Sequence, residues 1–106
     1  MMLMRFVILA LLGICSLSLA AAEVNVYSSR KDVLIVPLLE QFEKQTGIEV
    51  NLITGKASAL MSRIKSEGAA SPADLLVTVD ACNLHRAKTA DLVQIIQSEL
   101  LESLIP

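Results

Sequence analysis

The chain has 106 residues, nine Lys or Arg against eleven Asp or Glu for a formal net charge of −2, and 54% hydrophobic residues. The length allows one small domain, and the slight acidity excludes the basic surface that nucleic-acid binding needs. The two cysteines fall at 15 and 82, one inside the apolar leader, so no internal disulfide is expected in the rest.

Residues 1–22 read as a cleaved signal peptide. Arg5 is the positive n-region, Phe6 to Leu12 is an unbroken apolar run, and Ala20-Ala21-Ala22 offers small residues with the cut expected after Ala22. The apolar run is shorter than the ~20 residues of a spanning helix, so no stable membrane insertion is expected after cleavage. Ile14, bulky and directly before Cys15, argues against a lipid anchor. The remaining 84 residues carry eight Lys or Arg and eleven Asp or Glu. Cys82 is expected as a small buried apolar residue.

Val24 to Tyr27 predicts a short strand, followed by a loop at Ser28-Ser29-Arg30-Lys31. A helix follows, starting between Asp32 and Pro37, with Asp32 as an N-cap candidate and Pro37 acceptable only near the first turn. Leu38, Leu39 and Phe42 form its apolar face, and Gly47 suits a C′ position. Ile48 to Thr54 alternates with strand spacing, and Gly55-Lys56-Ala57 is a loop. A second helix covers about Ser58 to Glu67, with Leu60, Met61 and Ile64 inward and Arg63, Lys65 and Glu67 outward. Residues 68–72 break it.

Asp74 to Val79 is the third strand, and its unalternating Leu75-Leu76-Val77 predicts cover on both faces. A third helix spans about Ala81 to Thr89. Leu92 to Ile96 is extended and apolar, and Ser98 caps a last short helix ending near Ile105. The order β-α-β-α-β-α, with right-handed crossovers, gives an α/β fold: a small parallel sheet flanked by helices. The apolar 92–105 stretch is expected to stay exposed and to favour association.

No enzyme motif is present. The chain lacks a complete phosphate loop, a GxSxG elbow and HExxH, and one His with one Cys in the expected mature part is too few for a zinc site without distant carboxylates. Three groups fall at the carboxyl ends of strands, where open parallel sheets bind ligands. Ser28, Ser29 and Arg30 follow the first strand, Gly55 and Lys56 the second, and Thr78 to Asp80 the third. Ser28, Ser29, Arg30 and Lys56 could hold an anion, while Asp80 reads either as a helix cap or as a rim ligand. Tyr27, the only tyrosine, reads either as core or as a phenolate ligand. His85 reads as a helix-surface residue.

Three segments, VNVYSSR at 24–30, PLLEQFEKQTGIEVNLITGKA at 37–57 and SPADLLVTVDACNLHRAK at 71–88, continue into LVQIIQSELLESLIP at 92–106. Together they resemble the N-terminal part of periplasmic ferric-iron-binding proteins, the substrate-binding components of ABC iron transporters. The resemblance implies a partial periplasmic-binding-protein lobe over 23–106, with the second lobe outside this chain. It also implies ferric iron as ligand, with a synergistic anion such as carbonate, and an inner-membrane permease as partner. Many members place a His, or His-Tyr, directly after the position of Arg30, and some a Glu near Val79. Here Lys31 and Asp32 follow Arg30, and only Asp80 could replace the Glu. The family's paired tyrosine ligands belong to the other lobe. The resulting expectation is an exported, non-enzymatic iron-binding fragment too incomplete to hold iron tightly alone. Its alternatives are a lobe for another metal or small anion, or a non-functional truncated product.

Overall fold

The structure, a computed structural model, describes residues 22–105; the signal-peptide reading of 1–22 lies outside them but for Ala22. Three parallel strands form one sheet in the order β2-β1-β3: β1 (Glu23–Ser28), β2 (Glu49–Thr54) and β3 (Leu75–Val77). α1 (Asp32–Thr46) joins β1 to β2, and α2 (Ala57–Glu67) with a 3-10 turn (Gly68–Ala70) joins β2 to β3. α3 (Ala81–Thr89) and α4 (Glu99–Leu104) follow. The fold is therefore the small parallel α/β sheet flanked by helices that the element order implies.

β1 is central, paired from Glu23↔Glu49 to Ser28↔Thr54 on one side and from Val26↔Leu75 to Ser28↔Val77 on the other. The chain moves outward from β1 to β2, then back across to β3. With right-handed crossovers, that reversal sets α1 and α2 on opposite faces. Alternation along β1 then sends Val26 and Ser28 to one face and Tyr27 to the other. Val26, Tyr27, Ile35, Ala57, Leu60 and Ala87 are the buried apolar residues. Burial of a large aliphatic side chain contributes about 1.5–3 kcal/mol, so Val26, Ile35 and Leu60 are the principal aliphatic anchors of a small core.

Several expectations are corrected. Asp32 is not the cap of α1; Lys31 occupies the N-cap position without a side-chain bond, and Asp32 is the first helical residue. Pro37 lies inside the helix, past the first turn. There its missing N–H leaves the Val33 carbonyl without its helical donor, a group that sits on an exposed turn. Leu38 is 62% exposed, and the burial assigned to it belongs to Ile35. β3 is three residues long rather than six: among the described residues it pairs with β1 alone, and that pairing ends at Ser28↔Val77. Nor is it covered on both faces, since Leu75 is 52% exposed. Cys82, expected inside, is exposed on α3. Gly47 does end α1 in the left-handed conformation, φ 70°, its N–H donating to the Glu43 carbonyl at 2.8 Å.

Candidate functional site at the strand-end rim

The chain reversal at β1 makes the carboxyl ends of β1 and β3 a topological switch point, the position at which open parallel sheets bind ligands. Backbone bonds tie the three loops together there. The Gly55 N–H donates to the Ser28 carbonyl at 3.2 Å, joining the β2 loop to β1. The Ser29 N–H donates to the Val77 carbonyl at 2.9 Å, and the Ser29 hydroxyl donates to the same oxygen at 3.3 Å, joining β1 to β3. Ser28-Arg30, Gly55-Lys56 and Thr78-Asp80 thus share one rim, as strand-end position suggested.

Within that rim the serines shape the turn. Ser28 is fully buried and its Oγ accepts the Arg30 N–H at 3.1 Å. Ser29 spends its hydroxyl proton on Val77. The Ser29 proton is therefore engaged, while the Ser28 hydroxyl is buried, with its oxygen held by the Arg30 N–H. The free positive groups are exposed: Arg30, Lys31 and Lys56. Among the described residues the one ion pair is Arg63–Glu67, so these three cations carry no carboxylate partner there. Lys31 is the rim cation that sequence reasoning passed over; its place beside Arg30 was the available signal.

Asp80 is exposed and caps α3. Its Oδ1 accepts the Asn83 N–H at 2.7 Å, its Oδ2 accepts from Asn83 Nδ2 at 3.1 Å, and its carbonyl accepts the Thr78 hydroxyl at 3.2 Å. An ionised carboxylate has about four lone-pair sites, so two acceptor positions remain toward solvent.

Tyr27 is set apart from the rim. It is 1% exposed, and its hydroxyl donates to Glu67, with Oε1 at 2.9 Å and Oε2 at 3.0 Å. A crossover helix runs antiparallel to its strands, so Glu67, at the end of α2, lies at the opposite edge of the sheet from the rim. Ser71, just before β3, donates to Glu67 Oε1 at 3.0 Å at that same edge, and the Arg63 guanidinium lies 5.3 Å from the Tyr27 ring centroid, a cation–π distance. Burial first, and the Glu67 hydrogen bond second, push the Tyr27 phenol above its ordinary range. Burial alone would raise Glu67, but hydrogen bonds from Tyr27, Ser71 and Arg63 outweigh it and hold that carboxyl below its usual range. Tyr27 is thus buried with its hydroxyl engaged by Glu67, whereas the alternative to a core position is an exposed phenolate ligand. Sequence reasoning also placed Arg63 and Glu67 outward as solvated charges, although their i,i+4 spacing was visible.

The 71–74 run is equally structural. Ser71 Oγ holds Glu67 and accepts the Ala73 N–H at 3.3 Å. Asp74 extends the β1–β3 pairing: its N–H donates to the Asn25 carbonyl at 2.8 Å and its Oδ2 accepts the Asn25 N–H at 2.8 Å. Among the described residues, no group of three or more His, Cys, Asp or Glu is placed to hold a metal ion, and no helix is long and apolar enough to cross a membrane.

The chain matches no protein-family model. It is 52% identical over 84 residues to "Iron uptake protein A1" of Synechocystis, covering 79% of this chain and 23% of that protein. It is 34% identical over 73 residues to the "Major ferric iron-binding protein" of Neisseria gonorrhoeae, covering 61% and 22%. Among solved structures, the ferric iron-binding protein A of Mannheimia haemolytica in an open conformation superposes with a TM-score of 0.76 at 51% identity, over 81% of this chain and 27% of that one. A Trichodesmium protein in complex with iron and citrate ligands superposes with a TM-score of 0.73 at 49% identity, over 77% and 26%. In sequence and in fold the chain matches the N-terminal part of ferric-iron-binding proteins, and it spans about a quarter of the relatives it matches.

Proposed function

We propose that this chain, alike in sequence and fold to the N-terminal quarter of ferric-iron-binding proteins, is the exported ferric-iron-binding component of an ABC transporter. Residues 1–22 direct export to the periplasm, and residues 23–106 form part of the first lobe. The role is binding and delivery to an inner-membrane permease, not catalysis. The observation that carries this reading is identity near 50%, together with the shared fold, over about four-fifths of the chain.

In this reading the rim is one wall of an iron cleft. Arg30, with Lys56 beside it, draws the anion that accompanies the metal, carbonate or a carboxylate of a chelate. Ser28 and Ser29 set the turn that aims Arg30. Asp80 is the rim carboxylate with acceptor positions to spare, a hard oxygen donor suited to a hard trivalent ion. Tyr27 supports the wall from behind. These residues alone bind iron weakly, because phenolate and further carboxylate donors are missing from this wall.

A ferric citrate titration tests the reading. Weak binding is expected, competed by free citrate, lost in Arg30→Ala, and without a phenolate-to-iron charge-transfer band, since the single tyrosine is buried against Glu67. A strong charge-transfer band, or binding of phosphate in preference to every ferric complex, would refute it; the latter result favours an oxyanion-binding lobe.

A further inference from the structure

The strand-end rim is more positive than a wall for a bare trivalent cation. Its three loops carry Arg30, Lys31 and Lys56 against two carboxylates, Asp32 and Asp80, all five exposed. The lysines stand where the backbone fixes them. Lys31 is the N-cap residue of α1 and Lys56 that of α2, and neither bonds its helix through the side chain. α3 and α4 begin instead on oxygen-bearing side chains that do, Asp80 and Ser98.

Each placement runs against its helix. A helix start carries about half a positive elementary charge, and a cation beside it is unfavourable. Two such starts are neighbours here. Ser28 pairs with Thr54, and the Gly55 N–H donates to the Ser28 carbonyl at 3.2 Å, so Lys56 follows Gly55 as Arg30 follows Ser29. Adjacent strands lie about 4.8 Å apart, so one ligand can span both loops. The local field therefore repels a naked ferric ion and attracts an anion, over a range of about 8 Å at physiological ionic strength. Lysine is a point charge on a flexible stem, without the planar fork by which arginine matches a carboxylate. A lysine pair thus sorts ligands by charge rather than by shape.

We propose, on the footing of the iron-binding reading above, that this wall takes ferric iron as a net-anionic chelate. Lys31 and Lys56 engage oxyanion arms of the chelator that are not spent on the metal. They thereby select polyanionic chelators over chelators with no free arm. Carboxylate and phosphate arms meet the same requirement. Arg30 supplies the directional contact between the two lysines.

Calorimetric titration of the exported protein compares three ferric complexes. In the nitrilotriacetate complex every carboxylate is on the metal; the dicitrate and pyrophosphate complexes keep free arms. A complex with free arms is expected to bind about tenfold more tightly, as two exposed charge pairs allow. Lys31→Ala and Lys56→Ala each lower that ratio, and the double alanine variant abolishes the preference. Lys31→Arg with Lys56→Arg preserves it, because charge is what the pair reads. A merely structural role for the lysines would move the unfolding midpoint and leave the ratio alone. Dicitrate ahead of pyrophosphate assigns carboxylate arms, and the reverse order assigns phosphate arms. Equal binding of all three complexes overturns the proposal and leaves the iron reading standing. So does a preference that survives the double alanine variant. Metal-free tricarballylate, bound with the same lysine dependence while no ferric complex binds, overturns the chelate and the iron reading together and leaves an oligoanion site.

Discussion

The Tyr27 hydroxyl lies 2.9 and 3.0 Å from the two carboxylate oxygens of Glu67, a residue forty positions away. Through it the carboxyl-terminal part of the central strand is fixed to the last turn of α2, and Ser71 adds the segment that leads into β3. The bond therefore sets the crossover that carries the chain from β2 over β1 to β3. Without that crossover the rim has no third loop.

The pH dependence of this lock has a definite sign at each end. Glu67 is held below its ordinary 4.5, so its contribution is complete above 4.5 and is lost as pH falls through the lowered value. Tyr27 is raised above its ordinary 10.0, so its contribution is complete below 10.0 and is lost as pH rises through the raised value. Because Tyr27 is the only tyrosine and the chain has no Trp, an ultraviolet titration reads this one phenol. Its midpoint is expected above 10.0, moving back toward 10.0 in Glu67→Gln, which removes the acceptor's charge. A native midpoint at 10.0 or below contradicts the lock.

The two glycines with positive φ should respond differently. Gly47 sits at φ 70°, ψ 7°, with no atom within 4 Å of an added Cβ. Ala there should cost about 1–2 kcal/mol from backbone strain alone, and Asn, which tolerates the left-handed region, less. Gly68 sits at φ 61°, ψ −140°, close to a region reserved to glycine, so both Ala and Asn should cost about 1–3 kcal/mol. Urea denaturation of the four variants checks this; Asn equal to Ala at position 47 would contradict the left-handed argument.

Asp80 has two separable jobs in the proposed site. Its Oδ1 caps α3 through the Asn83 N–H, and removing such a cap costs about 0.5–2 kcal/mol. Asp80→Asn keeps an acceptor oxygen and removes the charge. It should leave the unfolding midpoint near the parent value and lower ferric affinity several-fold, whereas Asp80→Ala should lose both. Unchanged affinity in Asp80→Asn assigns the residue to capping alone.

What could be read from sequence was the periodic and the local: element order, the Gly47 stop and the convergence of three strand ends on one rim. What could not was anything decided by partners distant in the chain. Leu75-Leu76-Val77 reads as doubly covered, but cover depends on what packs on each face of the sheet, and Leu75 is 52% exposed. Ile35 and Leu38 are equally apolar, and only the seating of α1 on β2 selects the first. Ser28 and Ser29 look like anion donors because a hydroxyl is one by chemistry. The Ser29 proton goes to the Val77 carbonyl and a Ser28 lone pair to the Arg30 N–H, which composition cannot reveal.

The rim cations yield the last prediction, because Arg30 depends on a buried group beneath it. Ser28→Ala removes the oxygen that accepts the Arg30 N–H. Leaving a buried polar group unpaired costs about 1–3 kcal/mol, so this variant should lose stability and, by freeing the turn, also lose anion affinity. Arg30→Ala and Lys56→Ala remove only exposed charge and should lower citrate or carbonate affinity while leaving the unfolding midpoint in place. Their effect should shrink with added salt, since exposed charges are screened over about 10 Å at 0.1 M. Calorimetric titration with each anion at low and high salt, beside thermal unfolding, separates the two mechanisms. Equal affinity losses in Ser28→Ala and Arg30→Ala with a stability loss only in the former place Ser28 beneath Arg30. An affinity loss in Ser28→Ala alone would put the serine itself in contact with the anion.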